Sequence, residues 1–206
     1  EQFVINNPKA IVVVLVLLAL AIGAYFVAQK EYFEPREQEA QTAIYHAEQY
    51  FANDDFAKAL NGDGNYLGFA DVIDEFSGTE VANLAKYYAG LCCLNTGDFN
   101  QAVSYLEDYN GKDVFVSSVA IGALADAYME LDNLTEAVKC YEEAATESAN
   151  SFTSPMYLLR AGIVYEMLGN YAKTVEMYDV IKADYPNSPE GLSNKKNIEN
   201  AQSQKK

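Results

Sequence analysis

Residues 90–106 read GLCCLNTGDFNQAVSYL, and their spacing describes two helices joined by a turn. Gly90 is small where a second helix must come close. Gly97 breaks the chain seven residues on, Phe99 opens the next helix, Ala102 is small at the crossing, and Leu106 is bulky at the far end. The same order returns in Ala125, Tyr128, Asp132, Leu134, Ala137 and Tyr141, and again in Gly162, Tyr165, Gly169, Tyr171, Thr174 and Tyr178. Ala102 and Ala137 are 35 positions apart, and Ala137 and Thr174 are 37 apart. Neither helix of such a unit can bury its apolar face alone, so the units must stack on one another. Asp132 in place of a turn glycine and Thr174 in place of alanine are departures that predict mild losses of stability.

A period near 34 with small, aromatic and turn residues in these slots resembles the tetratricopeptide repeat. The resemblance implies an all-α solenoid of helical hairpins without a sheet. Carried along the chain, the period gives a divergent repeat over 34–78 and repeats over 79–112, 113–150 and 151–186. A capping helix over 187–206 completes one domain, 34–206, behind an N-terminal segment and anchor over 1–33.

In the divergent repeat, Glu34 to Ala52 reads as a first helix, with Ala40, Ala43, Ile44, Ala47, Tyr50 and Phe51 at helical spacing. Aligning Ala47 with Gly90 leaves about nine extra residues, placed around Asn61-Gly62-Asp63-Gly64-Asn65. Tyr66 stands where a calcium loop needs glycine and Val72 where it needs a bidentate Glu, so this run reads as turns. Gly68 to Phe76 is then expected to supply the second helix, and Ser77 to Glu80 has the spacing of a capping box. At the far end Pro186 stops the chain, Ser188 caps, and Pro189 opens a polar helix that keeps Leu192, Ile198 and Ala201.

Ile11 to Ala28, IVVVLVLLALAIGAYFVA, is 18 residues without a charge. At about 1.5 Å per residue it matches a hydrocarbon core of about 30 Å once its flanks help. Lys9 and Lys30 bracket it, and Tyr25, Tyr32 and Phe33 suit the far interface. Ala19-Leu20-Ala21 has the form of a signal-peptide cleavage site. The apolar run continues seven residues beyond it, which favours an uncleaved anchor through residues 10–28. Glu1 is not a methionine, so residues upstream are expected, and Lys9 against Lys30 and Arg36 does not fix the orientation.

From Glu31 to Pro186 there are 27 acidic and 8 basic residues, a net charge of −19, whereas Asn187 to Lys206 carries +2. That acidity excludes a surface that tracks phosphates, so no nucleic-acid partner is expected. It is also repelled by anionic lipid heads, which keeps the body off the bilayer surface.

Little in the chain suggests chemistry. His46 is the single histidine, so no metal site is expected. Cys92 and Cys93 are neighbours on one helix, where no ordinary disulfide closes, and Cys140 lies in another repeat. They read as small buried thiols, with intermolecular pairing as the alternative. No carboxylate is paired with a nucleophile or a phosphate loop, so neither an enzyme nor a cofactor is expected.

The useful surface is the concave one, formed by the first helix of each repeat. With Gly90, Ala125 and Gly162 in one slot, the groove-facing positions are Tyr87, Leu91 and Leu94; Gly122, Asp126 and Met129; and Leu159, Ile163 and Glu166. Glu130 adds to an acidic rim. These side chains either meet a partner or pack as core against the inserted segment. The Lys, Asn and Arg residues that clamp a C-terminal carboxylate are missing from these slots, which argues against an adaptor of cytosolic Hsp70 or Hsp90.

Three stretches carry a narrower resemblance. They are Phe56-Ala-Lys-Ala-Leu-Asn-Gly-Asp, then Gly68-Phe69 with Ile73 and Phe76, then Ala82-Asn-Leu-Ala-Lys-Tyr-Tyr-Ala-Gly90. With the anchor, they resemble the YfgM-like group of membrane-anchored repeat proteins. The resemblance implies one span in the bacterial inner membrane, a periplasmic repeat domain, and an ancillary place at the SecYEG translocon. It further implies a PpiD-type membrane-anchored chaperone as partner, with unfolded client proteins as additional ones. The alternative is an anchored assembly or receptor protein of another envelope or organelle import complex.

Overall fold

The computed structural model describes residues 8–111, 113–147 and 149–193, and every regular element among them is helical. Helix α1 (Pro8–Ala28) runs through a π-helical turn, Gln29–Phe33, directly into α2 (Glu34–Ala52). There follow α3 (Phe56–Asn61), α4 (Phe69–Glu75), α5 (Glu80–Thr96), α6 (Phe99–Glu107) and α7 (Val114–Glu130). The chain closes with α8 (Leu134–Glu147), α9 (Thr153–Met167), α10 (Tyr171–Asp184) and α11 (Pro189–Ser193). From α5 to α10 each helix packs on the next, and α7 also touches both α5 and α9, so these three line one side of a solenoid.

One turn design recurs four times. Asp54, Gly97, Asp132 and Gly169 take left-handed φ values of 60°, 84°, 57° and 71°. The residues after them, Asp55, Asp98, Asn133 and Asn170, donate their N–H groups to the carbonyls of Tyr50, Cys93, Tyr128 and Tyr165 at 2.8–2.9 Å. Those bonds close the first helix in the Schellman manner. The same four side chains then accept from the N–H groups of Lys58, Gln101, Glu136 and Lys173, capping the second helix. One residue thus ends a helix and starts the next. Four positions on sit Ala59, Ala102, Ala137 and Thr174, each fully buried.

This register corrects the expected start of the second helix in the first hairpin. The segment expected from Gly68 to Phe76 is helical over Phe69–Glu75, but the hairpin already turns at Asp54 and returns from Phe56. Gly62, at φ 74°, breaks α3, and residues 62–68 loop out before α4. Both α3 and α4 pack against α2 and α5. Inside the loop, the Asp63 carboxylate accepts from the N–H groups of Asn65 and Tyr66 at 2.9 Å and from the Tyr50 hydroxyl at 2.8 Å. These bonds, the backbone ones foremost, hold its pKa down at about 2. The His46 ring, half-buried on α2, stacks on Tyr66 at 3.5 Å.

The cap of α5 also differs from expectation. Thr79 rather than Ser77 caps it, its hydroxyl accepting from the Ala82 N–H at 3.0 Å. At the other end Ser188 accepts from the Gly191 N–H at 3.0 Å and Pro189 opens α11, as the sequence suggests. The remainder of the expected capping helix, 194–206, lies outside the described residues.

Small residues stand at the crossings for a direct steric reason. A Cβ added to Gly90 would lie 2.5 Å from Leu106, and one added to Gly162 would lie 2.3 Å from the Tyr178 ring. Thr174, the departure from alanine, buries its hydroxyl but satisfies it by donating to the carbonyls of Gly162 and Asn170 at 3.3 and 3.2 Å. Two main cores result. One joins α2–α5 around Phe69 and Val72, the other joins α7–α10 around Tyr178 and Ile181, and smaller clusters at Cys93 and Leu106 bridge them. All three cysteines are buried within these clusters or beside them. Helix α1 is the exception to burial: its apolar window has a mean hydropathy of 3.0 and none of it is covered. It is long and apolar enough to cross a membrane by length and composition.

Candidate functional site

Helices α5, α7 and α9 face an open groove of about 790 Å³ whose floor includes Leu91, Leu94, Val119, Ala123, Met129 and Met156. A second lobe of about 340 Å³ adjoins it and reaches Ile163 and Val164. Asp126, Met129, Tyr141 and Arg160 border both lobes.

The boundary between the lobes is polar. Arg160 Nη1 donates to Asp126 Oδ1 at 2.6 Å and to Oδ2 at 2.8 Å, and the Tyr141 hydroxyl donates to the same Oδ1. The guanidinium lies 5.8 Å from the centre of the Tyr141 ring and 5.9 Å from that of Tyr157. Burial, and then the Asp126 carboxylate, push the Tyr141 hydroxyl well above the usual tyrosine range. The two charged side chains remain 41% and 42% exposed, so the pair adds at most about 1 kcal/mol to stability.

Of the groove positions read from the sequence, Leu91, Leu94, Asp126, Met129 and Glu130 border the larger lobe and Ile163 the smaller. Leu91 and Leu94 also touch the cluster of Leu106, Ala120 and Ala123, so they serve floor and core together. Tyr87 is turned into packing: its ring lies 5.4 and 5.9 Å from Tyr88 and Tyr109, and burial pushes its hydroxyl up to about 12. Leu159 packs against the second main core, and Glu166 is exposed outside both lobes. Gly122 does not face open space, because a Cβ there would lie 2.2 Å from the Tyr157 ring.

The slots read from the sequence hold no Lys, Asn or Arg, yet the groove carries a cation, Arg160, which lies outside those slots. Counting slots back from Gly162 selects Leu159, whereas the next residue along reaches the groove. A signal was available, since Arg160 is the only basic residue between Lys139 and Lys173 and stands in an otherwise apolar helix. Met156, Tyr141 and Tyr157 also border the groove without having been selected. A separate cleft of about 570 Å³, bordered by Asp74, Glu80, Lys86 and Asp108, lacks such an apolar floor. Among the described residues no three His, Cys, Asp or Glu side chains are grouped to hold a metal.

Helices α5 to α10 thus form a TPR-like solenoid of helical hairpins with an open groove on one side. A tetratricopeptide-repeat profile matches residues 157–188, which run from α9 through α10. Two solved structures are similar, both of the kinesin light chain nearly identical TPR-like repeats of Podosopora anserina. The first is 16% identical with a TM-score of 0.60, over 82% of this chain and 88% of that one. The second, a point variant of the same repeats, is 16% identical with a TM-score of 0.59, over 82% and 87%. Identity this low carries the fold alone. No curated protein matches the sequence.

Proposed function

We propose that this chain is a membrane-anchored scaffold that binds other proteins through the groove on α5, α7 and α9. The observation that carries the proposal is the continuity of α1 with α2: an uncovered apolar helix runs straight into the first hairpin of a helical solenoid. The stretches between Phe56 and Gly90 that resemble the YfgM-like group narrow it further. In this reading α1 spans the bacterial inner membrane, residues 34–206 stand in the periplasm, and the protein is ancillary to the SecYEG translocon. Its partners are a PpiD-type chaperone and unfolded clients, it catalyses no reaction, and it needs no cofactor. The net charge of −19 over residues 31–186 supports a body held beside the membrane surface rather than on it.

The test is purification of the native complex from membranes in mild detergent, followed by mass spectrometry. Translocon subunits and a periplasmic chaperone are the expected companions. Recovery with cytosolic chaperones and without translocon subunits would overturn the assignment.

A further inference from the structure

We infer that the segment accepted by the groove is extended rather than helical, crossing the Asp126–Arg160 pair with its main chain while its apolar side chains fill the lobes on either side. This rests on the groove being the partner site proposed above. Leu91, Leu94 and Met156 belong to one lobe and Ile163 to the other, and the ion pair stands where the lobes meet. A partner that fills both lobes therefore covers the pair.

Covering it removes water from a guanidinium and a carboxylate whose side chains are still 41% and 42% exposed. That step is unfavourable unless new hydrogen bonds replace those to water. A helix has its amides and carbonyls bonded to one another except at its ends, so its apolar face offers the pair no partner. An extended chain carries an unmatched N–H and C=O at each residue, and these suit an Asp126–Arg160 pair: the N–H donates to the carboxylate, the C=O accepts from the guanidinium. The bonds to Asp126 use Nη1 alone, and the guanidinium also meets the Tyr141 hydroxyl. A fork of five N–H donors is not exhausted by these contacts. Glu130 on the rim and the net −19 of the body favour basic flanks by speeding encounter. An apolar stretch with exposed main chain and flanking lysines has the chemistry of an unfolded segment.

Two peptides of equal length and charge test this against the full chain in detergent. One is a linear peptide of alternating leucine and serine with lysines at both ends, and the other is held helical by a hydrocarbon staple. The linear peptide should bind more tightly, and N-methylation of its central amides should weaken it by about tenfold or more, the worth of one hydrogen bond to a charged group. In a variant carrying Asp126→Leu with Arg160→Met, shown by melting to be folded, that preference should vanish or reverse. Equal or tighter binding of the stapled helix, abolished by Leu94→Ser, would overturn the inference and leave the groove reading standing. Binding of either peptide that survives Leu94→Ser, or no binding up to about 1 mM, the weak end of specific recognition, would remove the groove as the site and the inference with it.

Discussion

Glu37 reaches across 43 residues to Glu80: its Oε2 accepts from the Glu80 N–H at 2.9 Å and its Oε1 from the Val81 N–H at 2.9 Å. A carboxylate on α2, just past the π-helical turn that follows α1, thus caps the start of α5. The adjoining Arg36 donates to the Glu75 carbonyl at 2.5 Å and lies 5.9 Å from the centre of the Phe76 ring. Helix α2, continuous with α1, is therefore clamped to the link between the first two hairpins. Negative charge at a helix N-terminus and two satisfied orphan amides together stabilise such a joint. Glu37→Ala should lower stability by about 1–2 kcal/mol, the usual scale of a lost cap. It should also broaden the distance distribution between spin labels at Gln29 and Phe115. Unchanged melting with an unchanged distribution would show that the clamp does not hold the joint.

The crossings predict a second set of losses. Ala137→Leu forces extra methylenes into a fully buried site and should cost about 1–3 kcal/mol by overpacking. Gly162→Ala should also destabilise, although alanine favours helix, because its Cβ would meet the Tyr178 ring and that ring is itself buried. Denaturant midpoints followed by circular dichroism decide both, and a midpoint equal to that of the parent would argue against this register.

Asp63 supplies a pH signature. Hydrogen bonds from the Asn65 and Tyr66 amides, then from the Tyr50 hydroxyl, lower its pKa from 3.8 to about 2. A group depressed on folding contributes stability that is fully present above its unfolded pKa and lost as pH falls through the folded one. Asp63→Asn keeps one acceptor and loses the other. The parent should therefore exceed it in stability at pH 7, and the gap should close between about pH 4 and about pH 2. A gap that is constant over that window would show that the ionised carboxylate does not order the loop.

The thiols should be silent in the folded protein. Burial pushes Cys92 up to about 12, and Cys93 and Cys140 up to about 11, so little thiolate is present at pH 8. Labelling by a maleimide or an aromatic disulfide should wait for denaturant and then report three groups per chain. Fast labelling of the native protein, or a disulfide-linked dimer on a non-reducing gel, would contradict this packing.

The hairpin register was legible because sterics impose it on residue size: Gly90 must be small for Leu106, and Gly162 for Tyr178. The turn at Asp54 was harder to see. Aspartate in the left-handed region looks like any acidic surface residue, although Asp132 plays the same part in the third hairpin. The insertion at Gly62 then displaced attention to the second half of the broken helix. Arg160 was missed for a different reason. Positions two and three residues before Gly162 differ by about 100° around the helix, so a small error in phase exchanges core and groove. The bond from Arg160 to Asp126 joins residues 34 positions apart on different helices, and no local pattern announces it.

Leu91 and Ile163, two apolar positions of the same groove, should respond differently to the same substitution. Leu91 is half-buried and touches the Leu106 cluster, whereas Ile163 is 45% exposed. Leu91→Ser removes partly buried apolar surface and should lower stability by about 1–2 kcal/mol as well as weakening partner capture. Ile163→Ser should stay within about 0.5 kcal/mol of the parent in stability, as exposed positions usually do, yet still weaken capture if the smaller lobe is occupied. The comparison therefore separates lost binding from lost fold, since the second variant has no stability change to explain a loss. Melting and affinity measured on both variants, with the same partner, supply the result. An Ile163→Ser protein that binds as tightly as the parent would confine the contact to the larger lobe between Leu91 and Met156. A strongly destabilised Ile163→Ser protein would place that side chain in the core and contradict the exposure on which the second lobe depends.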